Sequence, residues 1–96
     1  MNQMLEIIKR LPLGYSEVLY GNKKYGTTHT MFNQGKSHKV FAEELGGVDF
    51  ISLNLYLTHK GEQIKPCEMP MGKVIDFLTR FALINNSSTK NQEWIK

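Results

Sequence analysis

The residues of this chain whose types could do chemistry are one cysteine, three histidines, nine carboxylates and lysines scattered among aromatics. Cys67 stands in 58-THKGEQIKPCEMP-70. A thiol becomes a nucleophile when a cation, a histidine or a helix N-terminus lowers its pKa. Lys65 is two residues away and a helix is expected to start near Pro70. No second cysteine is present to resolve an intermediate, so a buried or inert thiol is the competing reading. A single cysteine also excludes an intramolecular disulfide and a zinc site built on thiolates.

His29, His38 and His59 fall on three separate expected strands and lack metal-ligand spacing such as His-x-x-x-His. Strand alignment could bring two of them together; otherwise they are surface or hydrogen-bonded histidines. Glu43 and Glu44 are adjacent, so on a strand they point to opposite faces and cannot work as an acid/base pair. Gly46-Gly47 is a turn and not a phosphate-binding loop. The expectation is a non-enzyme with no catalytic residue, no cofactor and no metal.

Aromatics interleaved with lysines remain: Tyr20, Tyr25, Phe41 and Tyr56 among Lys24, Lys36, Lys39 and Lys65. Single-stranded nucleic acid suits this mixture, because flat rings stack on bases and ammonium groups meet phosphates. The competing reading is that these rings pack a dimer interface or cover the ends of a sheet.

The elements that must position these groups follow from hydropathy periods. Residues 2–11 put Met4, Leu5, Ile8 and Leu11 on one helical face, with Asn2 as a possible cap and Pro12 and Gly14 as stops. Strands are expected over 15–21, 24–33, 36–45 and 48–59, joined by turns at Gly21–Lys24, Asn33–Gly35 and Gly46-Gly47. A fifth short segment, Gln63 to Cys67, can pair back. In the fourth strand Ile51, Leu53, Leu55 and Leu57 point one way; Phe50, Ser52, Asn54, Tyr56 and Thr58 point the other. The third strand divides likewise, Val40 and Ala42 inward and Lys39, Phe41 and Glu43 outward. Residues 70–83 form the last helix, whose stripe of Met71, Val74, Ile75, Leu78 and Phe81, widened by Ala82, covers the Ile51–Leu57 face. Residues 85-NNSSTKNQEWIK-96 read as a polar tail. The expected fold is one α+β domain over 1–84, an antiparallel sheet of four to five strands with an N-terminal and a C-terminal helix.

A chain of 96 residues with 41% hydrophobic and 22% charged residues matches an ordinary globule. A domain of this size is marginally stable, and dimerisation would help it. The formal charge of +3 permits a polyanionic partner without demanding one. The start is amphipathic and lacks the apolar core of a signal peptide. No run approaches the length of a membrane span, so a cytoplasmic protein without a membrane partner is expected.

Residues 32–66, FNQGKSHKVFAEELGGVDFISLNLYLTHKGEQIKP, resemble the core of the positive-cofactor-four family of single-stranded-DNA-binding transcriptional coactivators, which is related to the Whirly proteins. Phe32, Gly35-Lys36, Gly47, Tyr56, Gly61-Glu62 and Lys65-Pro66 fall in that family's order, with a shift of about one residue near Lys60. The resemblance implies a dimeric β-β-β-β-α fold and binding of single-stranded DNA. Leu45, Gly46 and Val48 replace an aromatic and lysines of the family's turn. Asn54 and Leu57 replace an arginine and an aromatic, while Lys36 and Lys65 remain.

The segments 42-AEELGG-47, 49-DFISLN-54 and 65-KPCEMP-70 also resemble small uncharacterised bacterial proteins, some labelled peptide methionine sulfoxide reductases. That likeness implies a thiol enzyme using Cys67. Such reductases share a Gly-Cys-Phe-Trp type of setting, from which Lys-Pro-Cys-Glu-Met-Pro departs.

Taken together, the residues point to a homodimer that binds single-stranded DNA or RNA with little sequence preference. Tyr25, Phe41 and Tyr56 would stack on bases, Lys24, Lys36, Lys39 and Lys65 would neutralise phosphates, and Ser52 and Asn54 would offer hydrogen bonds. The rivals are a protein-interaction module and an enzyme built on Cys67.

Overall fold

Alternation of period two decides the centre of the molecule. A strand sends successive side chains to opposite faces, so a strict apolar/polar alternation yields one face for a core and one for solvent. The strand Phe50–Thr58 obeys it, with Ile51, Leu53 and Leu55 fully buried, and so does Ser37–Glu44, with Val40 and Ala42 fully buried. A computed structural model describes residues 3–84. Asn2 and the polar tail with Trp94 lie outside the described residues.

In chain order the elements are α1 (Gln3–Ile8), β1 (Gly14–Tyr20), β2 (Lys23–Phe32), β3 (Ser37–Glu44), β4 (Phe50–Thr58), β5 (Gly61–Pro66), α2 (Met71–Arg80) and β6 (Ala82–Leu83). Among the described residues the strands form one six-stranded antiparallel sheet in the order β5-β4-β3-β2-β1-β6. The fold of the described residues is therefore α+β with two α-helices. No described helix is long and apolar enough to cross a membrane.

Turn chemistry sets the meander. The β1–β2 hairpin closes through Gly21 and Asn22 alone, because Tyr20 already pairs with Lys23. Both turn residues have positive φ, 62° and 66°, the geometry that matches the twist of paired strands and that glycine and asparagine tolerate.

Both helices lie on the same face. Leu5 and Ile8 of α1 and Val74, Phe77 and Leu78 of α2 join Val40, Ala42, Ile51, Leu53 and Leu55 in one core. Each helix, or the chain beside it, is fastened at two points. The Glu62 carboxylate in β5 accepts from the amides of Met4 (3.0 Å) and Leu5 (2.7 Å), satisfying free donors at the start of α1. The chain leaving α1 is held by the Leu11 carbonyl, 3.0 Å from His29 of β2. Lys73 near the start of α2 pairs with Asp49, and Asp76 accepts from the Tyr20 hydroxyl of β1.

The last helix ends earlier than its apolar pattern predicts. Phe77, rather than Met71, is its largest fully buried side chain, and Met71 is exposed. At Phe81 the backbone becomes extended (φ −69°, ψ 151°), which keeps its ring stacked 5.5 Å from Phe77. Ala82 and Leu83 then pair with Leu19 and Val18 as a sixth strand. Ala82 thus leaves the helical stripe, because a helix continued past Arg80 would forgo that edge pairing.

Candidate nucleic-acid interface

With both helices on one face, the other face of the sheet carries no layer from the described residues. The strand register lays its side chains out as a grid. One row, crossing from β2 to β5, is Thr30–Lys39–Asn54–Lys65. On one side of it runs Phe32–Ser37–Tyr56–Gln63. On the other side runs Tyr15–Thr28–Phe41–Ser52, starting from β1. Rows are two residues apart along each strand, about 6.5–7 Å. Lysines therefore sit between two lines of aromatics.

The rings are accessible. Phe41 is 36% exposed, Tyr56 37%, Phe32 48% and Tyr15 62%. Phe50 is half-buried and its ring lies 6.2 Å from that of Phe41. Tyr15 reaches across Gly26, where an added Cβ would come within 2.5 Å of its hydroxyl oxygen, so the glycine leaves room for that ring to lie over the sheet. Three ion pairs occur among the described residues: Lys23–Glu44, Lys73–Asp49 and Arg80–Asp76. None of them engages Lys24, Lys39 or Lys65. Glu17 and Glu43 occupy the next row, beyond Phe41, and give that end of the face the opposite sign.

Six of the nine residues expected to form a binding surface, Lys39, Phe41, Ser52, Asn54, Tyr56 and Lys65, come together on this face. Ser52 is buried, at 8% exposure, so it supports the surface more than it presents a group. Lys24 shares the face but stands at its far end, opposite Leu19 of β1. Lys36 stands between the tight turn Asn33–Gly35 and β3, where its carbonyl accepts from the Leu57 amide at 2.8 Å. It lines a shallow depression with Leu57, Thr58 and His59, off the central grid.

Tyr25 is a correction. It belongs to the helix-covered face and is 3% exposed. Its hydroxyl donates to Asp49 at 2.7 Å, and its ring packs edge-on against Tyr20 and Phe77. Tyr20 is likewise turned to that side, opposite Lys23, and bonded to Asp76. Burial, reinforced by the hydrogen bond to Asp76, pushes the Tyr20 phenol up to about 12. Burial first, and then the hydrogen bond to Asp49, raises Tyr25 too. Both therefore stay protonated and act as donors that fasten the β1–β2 hairpin to the loop before β4 and to α2. The Lys73 ammonium, helped by the Tyr25 hydroxyl, holds the Asp49 carboxyl below the ordinary carboxylate range against the opposing effect of burial.

Sequence reasoning missed Tyr15, Thr28, Thr30 and Gln63 as members of the open face, and used Phe32 only through a family likeness. Alternation carried the signal, since Tyr15, Glu17 and Leu19 share one parity in β1. The covered set Ser16, Val18 and Tyr20 is no more apolar, however, so the pattern did not say which set faces out.

Cys67 continues β5 onto the open face, where its amide donates to the Ser52 carbonyl at 3.0 Å. Its Sγ is half-buried and lies 3.4 Å from the Asn54 amide nitrogen. Among the described residues no lysine or histidine is hydrogen-bonded to it, and no group of three or more potential metal ligands assembles. Compared with family models, curated proteins and solved structures, the chain has no match.

Proposed function

We propose that this chain is a non-enzymatic protein that binds single-stranded nucleic acid on the open face of its sheet. The observation that carries the reading is the row Lys39–Asn54–Lys65, free of ion pairs among the described residues and flanked by the exposed rings of Phe41, Tyr56 and Phe32. Ammonium groups in that row neutralise phosphates, and the rings on either side stack on unpaired bases. Stacking reads no base edge, so little sequence preference follows. A duplex hides its bases from such rings and binds less well.

The order β-β-β-β-α from β2 to α2 supports the likeness to the positive-cofactor-four and Whirly type, and with it single-stranded DNA as the ligand, a role in transcription or replication, and a homodimer. Asn54 in place of that family's arginine leaves Lys39 and Lys65 as the cations of the central rows.

The test is fluorescence anisotropy of a labelled mixed-sequence strand of about 20 nucleotides at two salt concentrations, since the salt slope counts released counterions. Binding that weakens steeply with salt, and a slope smaller by about two in the double variant Lys39→Glu, Lys65→Glu, is the expected result. Unchanged affinity in that variant removes the surface assignment. No binding of the native chain at low salt removes the function and turns attention to a protein partner for the same face.

A further inference from the structure

Two histidines are buried behind the platform, and the binding reading makes no use of them. His29 of β2 is 4% exposed and His38 of β3 is 3% exposed. Their rings are 5.1 Å apart, with His29 Nε2 at 2.9 Å from His38 Nδ1. The outer nitrogens both meet backbone carbonyls: His29 Nδ1 lies 3.0 Å from the Leu11 oxygen and His38 Nε2 lies 3.1 Å from the Gly35 oxygen.

Proton counting decides what this chain of contacts requires. A carbonyl only accepts, so Nδ1 of His29 and Nε2 of His38 must each carry a proton. The central nitrogen–nitrogen contact needs one more. Two neutral imidazoles hold two N–H groups between them, and three contacts need three. We propose that His29 and His38 share one proton and titrate as a unit, forming a pH-sensitive latch that ties the segment after α1 to the β2–β3 hairpin.

The surroundings set the direction of each step. Lys9, from the turn after α1, is the charged side chain that acts on His38 besides His29. β1 sets Gly14 opposite His29, β4 sets Leu55 opposite His38, and the tight turn supplies the Gly35 carbonyl. No carboxylate among the described residues is hydrogen-bonded to either ring. A second added proton would put two N–H groups face to face. Burial above all, and then the charges of His29 and Lys9, push His38 below the ordinary histidine range, against the Gly35 hydrogen bond. That depressed step makes the folded state lose stability as pH falls below the free histidine value of about 6.5. Removing the shared proton leaves two N–H groups for three contacts. The contact that proton makes opposes the cost of burying one charge, so the latch keeps it at neutral pH and loses stability as pH rises through the step at which it leaves.

Two-bond proton–nitrogen spectra of the 15N-labelled full chain between pH 5 and 9 test the latch, with the exposed His59 as internal reference. At pH 7 the outer nitrogens are expected at the shifts of protonated ring nitrogens. The facing pair should lie at averaged, intermediate shifts and titrate in two steps, one on each side of His59. Facing nitrogens that are both unprotonated at pH 7, with no step above that of His59, would overturn the proposal. Unfolding in urea gives a second reading. The unfolding constant should rise about tenfold for each unit by which the upper step exceeds the His59 value. The same rise in His38→Gln, which has no pair, would overturn it; should that variant not fold, the spectra of the native chain decide alone.

Discussion

Val40 and Lys39 are neighbours in one strand and live in different solvents. Val40 has zero exposure beneath two helices, while Lys39 projects from a face that nothing in the described residues covers. The covered face pairs its ionisable groups internally: Tyr25 donates to Asp49, Tyr20 to Asp76, and Lys73 neutralises Asp49, while the buried hydroxyls of Ser16 and Thr27 have no partner among the described residues. The open face leaves its lysines without ion pairs and its rings partly wet. The contrast teaches that aromatics serve two ends here. Tyr20, Tyr25 and Phe77 pack edge to face to hold a hairpin against a helix, whereas Phe41, Tyr56 and Phe32 keep part of each ring open to a ligand.

The largest way to break this contrast is through the core. Phe77→Ala should cost about 3–5 kcal/mol of stability, from lost burial and a residual cavity. Urea unfolding followed by circular dichroism measures it, and what remains folded should still bind oligonucleotide. Substitution of the open face should behave in the opposite way. Phe41→Ala or Tyr56→Ala should weaken binding of a single strand by about 1–3 kcal/mol each, one stacked base apiece, while costing about 1 kcal/mol of stability, well short of the Phe77→Ala loss. If either variant loses stability as Phe77→Ala does, the two faces are not divided as argued.

A smaller effect sharpens the covered side. Tyr25→Phe removes one hydroxyl bonded to a partly solvated carboxylate and should cost about 1 kcal/mol at neutral pH, with affinity for nucleic acid unchanged. The outcome separates Tyr25 from Phe41 and Tyr56, to which the sequence alone had joined it. The smallest effect concerns pH. Because Lys73 and Tyr25 hold Asp49 below the ordinary carboxylate range, its stabilising contribution is present above about pH 4 and is lost as pH falls through its lowered titration. An acid unfolding series should therefore be shallower below pH 4 in Asp49→Asn than in the native chain.

Legibility in the sequence followed how unequal the two faces of a strand are. In β3 and β4 one parity is aliphatic and the other polar or aromatic, so the buried Ile51, Leu53, Leu55, Val40 and Ala42 were readable, and with them the outward Lys39, Phe41, Asn54 and Tyr56. In β2 the two parities are Lys24, Gly26, Thr28, Thr30, Phe32 and Lys23, Tyr25, Thr27, His29, Met31. Neither is plainly a core set, and the placement of Tyr25 by composition failed there. The candidate site was legible where it rests on β3 and β4 and illegible where it rests on β1 and β2.

What the sequence by itself determined is local: the periods that make helices and strands, the Gly21-Asn22 and Gly46-Gly47 turns, and the division of β3 and β4 into two faces. These depend on φ/ψ preference and on hydropathy a few residues apart. Only the tertiary structure decided that α1 and α2 share one face, that Ala82 and Leu83 leave the helix to pair with β1, that Lys39 and Lys65 flank Asn54 in one row, and that His29 meets His38 at 2.9 Å. Each is a contact between residues distant along the chain or on different strands. Such contacts are set by strand register and by which surface the helices bury, quantities to which no single stretch of sequence refers.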